Sequence, residues 1–464
     1  MPLPLLVRAL DGWTDPADAF AALFARSTDD VVWLDSGPDA DGGLSIIATG
    51  ERVLTAELAT GTVTVDGHKS AGDLLSTATA LAQPISLDSR GRRLPAPTGW
   101  YGWIGYEAGA VAAGAPVSPS DTGTHDAGLL FAERLLVFDH GSRSVQLIAA
   151  DDEEGRAWCR STEARLEAAA GFARRYEEEH PVIPSSPFWR HDDSEYLRMI
   201  RAAQESIRAG DAYQLCVTNR VSAATDADPL SVHLSLRRAS PAHHAGFLRI
   251  AGEVLVSSSP ELFLQVDPDG RVRTKPIKGT RPRGATLAAD LALRSDLEAS
   301  EKEQAENVMI VDLMRNDLGR VCRTGSVEVR HLLEVESYAH VHQLVSTVEG
   351  RLRPGLSALD ALRACFPAGS MTGAPKLSAM RILHELERGP RGAYSGCFGY
   401  LGSDGSADLA MVIRSIRFAQ GTAEIGSGGG ITALSVPEAE LEEVRVKARA
   451  LLTALGAAGP LGTD

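Results

Sequence analysis

Three prolines within seven residues, Pro181, Pro184 and Pro187, form a break that neither a helix interior nor a central strand can cross. The chain therefore divides in sequence into a region 1–180 and a region 188–457. Before the break, short apolar runs such as Val31-Val32-Trp33-Leu34 and Leu135-Leu136-Val137-Phe138 alternate with Gly, Asp and Pro clusters and predict strands. Glu153 to Glu179 turns to Ala, Glu and Arg and predicts a helix. After the break, Asp193 or Ser194 caps a helix with Leu197, Ile200, Ala203 and Ile207 at three- and four-residue spacing, closed by Gly210. Alternating Tyr213, Leu215 and Val217 predict a strand, with others near Phe247–Ile250, Val254–Val256 and Leu262–Leu264. Sheets with interspersed helices give an α/β or α+β class, and 464 residues suffice to enclose an active site.

A formal charge of −15 argues against a nucleic-acid backbone as partner, since such binders need a basic footprint. An anionic small molecule fits only if a metal or local basic groups override that field. Five scattered cysteines without a CxxC indicate neither a disulfide framework nor a zinc site. The start, Met1-Pro2-Leu3-Pro4, lacks the basic opening and long apolar stretch of a signal peptide, and no run approaches a membrane span. A cytoplasmic protein is expected.

Glu303 and Glu306 lie three apart in a helical stretch, which puts both carboxylates on one face. Glu440 and Glu443 repeat the spacing after Pro437. Two such helices could hold a hard cation such as Mg2+ through oxygen ligands, although solvated helix faces also carry acids at this spacing. In Thr274-Lys275-Pro276-Ile277-Lys278-Gly279-Thr280-Arg281-Pro282-Arg283-Gly284, four cations crowd a segment that reads as a basic turn. Lys275, Arg281 and Arg283 would disfavour the protonated form of Lys278 and lower its pKa, as a nucleophilic amine requires.

Pro276-Ile277-Lys278-Gly279-Thr280, taken with Phe366-Pro367-Ala368-Gly369-Ser370-Met371-Thr372-Gly373-Ala374-Pro375-Lys376 and Gly428-Gly429-Gly430-Ile431, resembles the chorismate-binding family. That family includes anthranilate synthase component I, aminodeoxychorismate synthase component I, isochorismate synthase and salicylate synthase. The resemblance covers about residues 190 to 455 and is looser before them. It implies an anthranilate synthase component I-like fold, with β-sheets packed face to face and helices outside. It also implies Mg2+ on Glu303, Glu306, Glu440 and Glu443, neutralising the ring carboxylate of chorismate. The other carboxylate falls to Arg414, Tyr394 and the backbone around Gly428 and Gly430, with Lys447 beside the metal-bound carboxylate. Gly279, Thr280 and Thr372 complete the substrate set. His342 matches a histidine near the reacting ring, and Glu261 the acid that protonates the departing C4 hydroxyl, helped by burial beside Leu262 and Phe263.

At the position of Lys278, anthranilate synthases usually carry alanine, whereas aminodeoxychorismate-forming members carry lysine. The resemblance thus implies lysine attack at C2, loss of the C4 hydroxyl, then ammonia at C4, giving 4-amino-4-deoxychorismate for 4-aminobenzoate and folate synthesis. Family members that activate water have a lysine where this chain reads Tyr213-Gln214, and an amide cannot serve as that base. No Gly-x-Cys-x-Gly turn occurs, so ammonia must come from solution or from a glutamine amidotransferase subunit. Leu34-Asp35-Ser36 resembles the family's tryptophan-pocket motif, or is simply a strand end with turn residues. The partnering Asn-Pro-x-Pro-Tyr is replaced by Arg238-Ala239-Ser240-Pro241-Ala242-His243-His244.

Overall fold

The structure is a computed structural model that describes residues 4–81, 87–88, 91–120 and 123–457. Met1–Leu3, part of the segment read above for a signal peptide, lie outside them. Among the described residues the strands form two 12-stranded sheets with antiparallel neighbours along each path. Period-two alternation explains how the sheets stack. Val31 and Trp33 on strand Val31–Asp35 face one apolar cluster, while Val32 faces another. Leu136 and Phe138 on Arg134–Asp139 join the first, Leu135 and Val137 the second.

The second cluster draws on both sheets, through Val32, Leu248 and Leu255 of one and Tyr101, Leu130 and Phe398 of the other, so it is the seam between them. The outer face of the first sheet is covered by helices such as Pro16–Phe24 and Pro437–Ala454. The outer face of the second is covered by Glu301–Gly319 and Ala358–Cys365. This is the layered arrangement of face-to-face sheets with helices outside.

The proline break separates the two sequence regions, but both regions contribute to both sheets. Val31–Asp35 pairs with His244–Ile250 in one sheet, and Gly99–Ile104 pairs with Cys397–Gly402 in the other. Immediately after the prolines, Phe188–Trp189 begins an edge pairing with Gln214–Ala224.

Local differences from the sequence expectations have plain causes. Helix Asp193–Ala209 is capped by Asp192, whose carboxylate accepts from the Glu195 amide at 2.8 Å, and Gly210 closes it at φ +88°. The stretch 153–179 forms two helices, Glu153–Leu166 and Phe172–Glu179, the second entered through Gly171 at φ +70°. The basic segment around Lys278 is a strand, Ile277–Pro282, paired with Val341–Arg351, rather than a turn. No helix among the described residues is long and apolar enough to cross a membrane.

Candidate active site

Lys278 comes from the terminal strand of the second sheet and meets Thr422–Ile431 of the first. A Cβ placed on Gly430 would lie 3.5 Å from Lys278 Nζ. Strand geometry puts Gly426, Gly428 and Gly430 on one face, and each lacks a side chain for a steric reason. At Gly426 a Cβ would overlap the Tyr394 ring; at Gly428 it would come within 2.7 Å of the Val217 carbonyl; at Gly430 it would overlap the Gln214 amide. Tyr394, the neighbouring strand and Gln214 thereby pack directly against the backbone of this wall. Lys447 Nζ donates to the Gly428 carbonyl at 2.8 Å and pairs with Glu443 at 2.8 Å.

Lys278 is mostly buried, with Nζ 3.9 Å from Glu306 Oε2. Burial pushes its pKa down, but Glu306, the Cys216 thiol, Glu261 and Glu443 outweigh that, and the net shift is upward. This corrects the sequence expectation of a depressed pKa. The three neighbouring cations are neutralised by distant acids: Lys275 by Glu336, Arg281 by Asp296 and Arg283 by Asp290, each at 2.7 Å. Lys278, on the same segment, faces carboxylates instead.

Glu261 is buried and accepts from Ser370 Oγ at 3.2 Å. Burial pushes its carboxyl up to about 7, with Lys278, Ser370 and Lys447 acting in the opposite direction. A carboxyl of that strength can carry a proton near neutral pH and deliver it.

The four candidate metal acids lie on the two helices expected. Glu306 and Glu440 are buried; Glu303 and Glu443 are more open. Gly279, at φ +82°, lets Glu303 close in, since a Cβ there would lie 3.0 Å from the Glu303 carboxyl carbon. A Cβ on Gly429 would lie 3.2 Å from Glu440 Oε2. Lys302 stands between the pairs, 3.2 Å from Glu440 Oε1 and 3.9 Å from Glu306 Oε1. No three His, Cys, Asp or Glu side chains among the described residues already converge as a metal cluster. The donor set nonetheless fits a hard divalent cation, because it is all carboxylate oxygen. Burial raises the Glu306 pKa, Lys278 and Lys302 oppose this, and Glu303 and Glu440 reinforce it.

Arg414 adopts φ +51°, and among the described residues its guanidinium makes no ion pair, which leaves its fork available to a carboxylate. Burial lowers its pKa, with Tyr394 and Glu443 opposing. Thr372 is fully buried, its hydroxyl donating to the Ala368 carbonyl at 3.1 Å. Thr280, by contrast, is exposed.

His342 is buried, but its ring is engaged away from Lys278. Asp290 Oδ1 lies 3.0 Å from Nε2 and Ser337 Oγ 2.8 Å from Nδ1. The carboxylate can only accept, so Nε2 carries the proton and Nδ1 accepts from Ser337 in the neutral ring. Neither partner was legible in the sequence, since helix Leu287–Glu298 brings Asp290 from 52 residues away.

Asp35, from the tryptophan-pocket motif, is buried and bound to Arg237 at 2.8 Å, with Ser45 Oγ donating to it at 2.8 Å. Burial raises its pKa but Arg237 more than compensates, so the carboxylate is held below its usual range. It is thus committed to an internal cation.

The description chorismate binding enzyme attaches to a family model that matches residues 45–453. The chain belongs to this family. Membership therefore reaches back across the proline break. Aminodeoxychorismate synthase of Streptomyces griseus is 44% identical over 99% of this chain and 65% of its own length. Anthranilate synthase component 1 of Streptomyces coelicolor is 40% identical over 77% of this chain and 72% of its own length. The crystal structure of anthranilate synthase component I from Streptococcus pneumoniae matches with a TM-score of 0.78 at 32% identity, covering 89% of this chain and 93% of that one. The chain spans 65% of the length of aminodeoxychorismate synthases from Streptomyces griseus and Streptomyces pristinaespiralis.

Proposed function

We propose that this chain is the chorismate-aminating component of an aminodeoxychorismate synthase, converting chorismate and ammonia to 4-amino-4-deoxychorismate in the cytoplasm for 4-aminobenzoate and folate synthesis. The observation that carries the reading is Lys278, buried between the Glu306 carboxylate and the glycine wall, in electrostatic contact with Glu261. The name borne by the Streptomyces griseus relative supports it.

Arg414, Tyr394 and the strand at Gly428 and Gly430 bind and orient the dianion, with Gly279 and Thr280 at its Lys278 side and Thr372 holding the adjoining loop through the Ala368 carbonyl. Mg2+ held by Glu303, Glu306, Glu440 and Glu443 would neutralise the ring carboxylate. Lys447 holds Glu443 and the Gly428 carbonyl in register. The Lys278 ammonium first releases a proton to solvent; Glu261 then gives its proton to the C4 hydroxyl, which leaves as water while the amine bonds to C2 and the ring double bond shifts. Ammonia then bonds to C4, the double bond shifts back as the C2–N bond breaks and frees the lysine amine, and the proton shed by the new C4 ammonium restores Glu261. His342, fixed by Asp290 and Ser337, orders the strand beside the ring.

A glutamine amidotransferase subunit is the proposed ammonia source. The isolated chain should accordingly turn over with ammonium salt and not with glutamine, and mass spectrometry should identify the 4-amino product with its enolpyruvyl group intact. Glutamine-dependent turnover by the purified chain would contradict this. The second reading, anthranilate formation, is favoured by the 40% identity to the Streptomyces coelicolor protein. Amination at C2 with release of pyruvate would select it.

Glu261→Gln should lower kcat by roughly 10²–10⁴-fold, the range for a positioned general acid. The group must be protonated to act, so wild-type kcat/KM should fall as pH rises through about 7, and the variant should lose that limb. An unchanged high-pH limb in Glu261→Gln would assign the proton elsewhere.

A further inference from the structure

Arg391 belongs to none of the motifs above, yet its guanidinium ties together the segments that carry the candidate substrate residues. All five of its N–H donors are used. Nε and Nη2 grip Glu387 at 2.8 and 2.7 Å; Nη2 also donates to the Cys216 carbonyl at 2.9 Å; Nη1 donates to the Met371 carbonyl at 2.6 Å and to Ser395 Oγ at 3.3 Å. Each acceptor adjoins the site. Cys216 pairs with Gly430 across the sheet, Met371 precedes Thr372, and Ser395 follows Tyr394. Glu387 also accepts from the Thr218 amide at 3.0 Å, and Thr218 pairs with Gly428.

The hub is itself anchored from the region before the proline break. The Glu107 carboxylate accepts the Arg391 amide at 2.7 Å and the Gly392 amide at 2.9 Å, and the Arg391 guanidinium carbon lies 4.3 Å from the centre of the Tyr106 ring. Arg391 and Glu107 are both buried. A planar fork satisfying acceptors on separate segments fixes distance and angle together, which a lysine ammonium with three donors on a flexible stem cannot do.

We infer that Arg391, anchored by Glu107, is a positioning residue that sets the spacing of the 214–218, 369–373 and 391–395 segments and so shapes the substrate pocket. The effect on substrate rests on the chorismate reading above; the joining of the segments does not.

The test compares wild type, Arg391→Lys and Glu107→Gln. Glu107→Gln leaves the guanidinium intact but turns one acceptor into a donor facing a backbone N–H, so it carries the test if Arg391→Lys does not fold. Hydrogen exchange read by mass spectrometry should show protection falling about tenfold in all three segments together, while Leu5–Leu10 and Ser144–Ala150 stay unchanged. Chorismate KM should rise about tenfold with kcat changed less than about threefold, the pattern of lost uniform binding. Loss of protection confined to 391–395, or an unchanged KM, would overturn the inference. A wild-type chain that consumes no chorismate would sink the chorismate reading, and the exchange pattern would still decide whether Arg391 joins the three segments.

Discussion

Glu306→Gln and Glu443→Gln are each expected to bring turnover to background, through loss of Mg2+ rather than loss of fold. Both changes conserve volume and remove one anionic oxygen pair from a set of four carboxylates. Mg2+ binds oxygen at about 2.0–2.1 Å in near-octahedral geometry and gives up its water reluctantly, so losing an anionic ligand is poorly tolerated. The fall in affinity should be at least the roughly 10–100-fold that outer-shell changes cause. The two positions differ in a way that provides an internal check. Glu306 is buried beside the mostly buried Lys278, so its loss leaves that ammonium without its nearest carboxylate. Glu443 is about half exposed and paired with Lys447, so its loss should cost little stability. Calorimetric titration of Mg2+ into each protein without chorismate, beside a melting curve, separates the two contributions. Full activity in a stringent chelator, or in both variants, would remove the metal from the reaction.

The acid pairs could be read from sequence because helical geometry is local: three residues apart means one face, wherever the helix is placed. The burial of Glu261 was legible for a similar reason, since Leu262 and Phe263 beside it mark a core strand. Long-range pairing was not legible. The charge environment of Lys278 was misread because its sequence neighbours are neutralised by Glu336, Asp296 and Asp290, which arrive from other elements. The same limit hid Arg391, whose acceptor at Cys216 lies 175 residues away, and Asp290 as a partner of His342. The sharing of both sheets across the proline break is likewise a matter of strand pairing, which a linear composition shift does not report. Where a local rule failed, at 153–179, the chain leaves the first helix at Leu166 and re-enters a second through a left-handed Gly171, although composition favoured one helix throughout.

Lys278→Ala and Lys278→Arg together should identify the nucleophile. If the Lys278 amine bonds to C2, alanine should abolish the covalent adduct and slow C4 amination by roughly 10²-fold or more, while Mg2+ and chorismate still bind. Arginine should be no better, because its guanidinium stays protonated and has no free lone pair, although it restores positive charge beside Glu306. The structure sharpens this contrast. The carboxylates around Lys278 favour its charged form in the free protein, so a purely electrostatic role toward the dianion is the direct competitor of a covalent one. That competitor predicts near-normal rates for Lys278→Arg, and the covalent role predicts failure of both variants. Intact-mass analysis of wild type quenched during turnover should show an adduct of chorismate less water, and peptide mapping should place it on Lys278. Near-normal amination by Lys278→Arg would overturn the covalent role. So would an unimpaired Lys278→Ala with no adduct in wild type, and direct attack by ammonia on the ring would then be the better account.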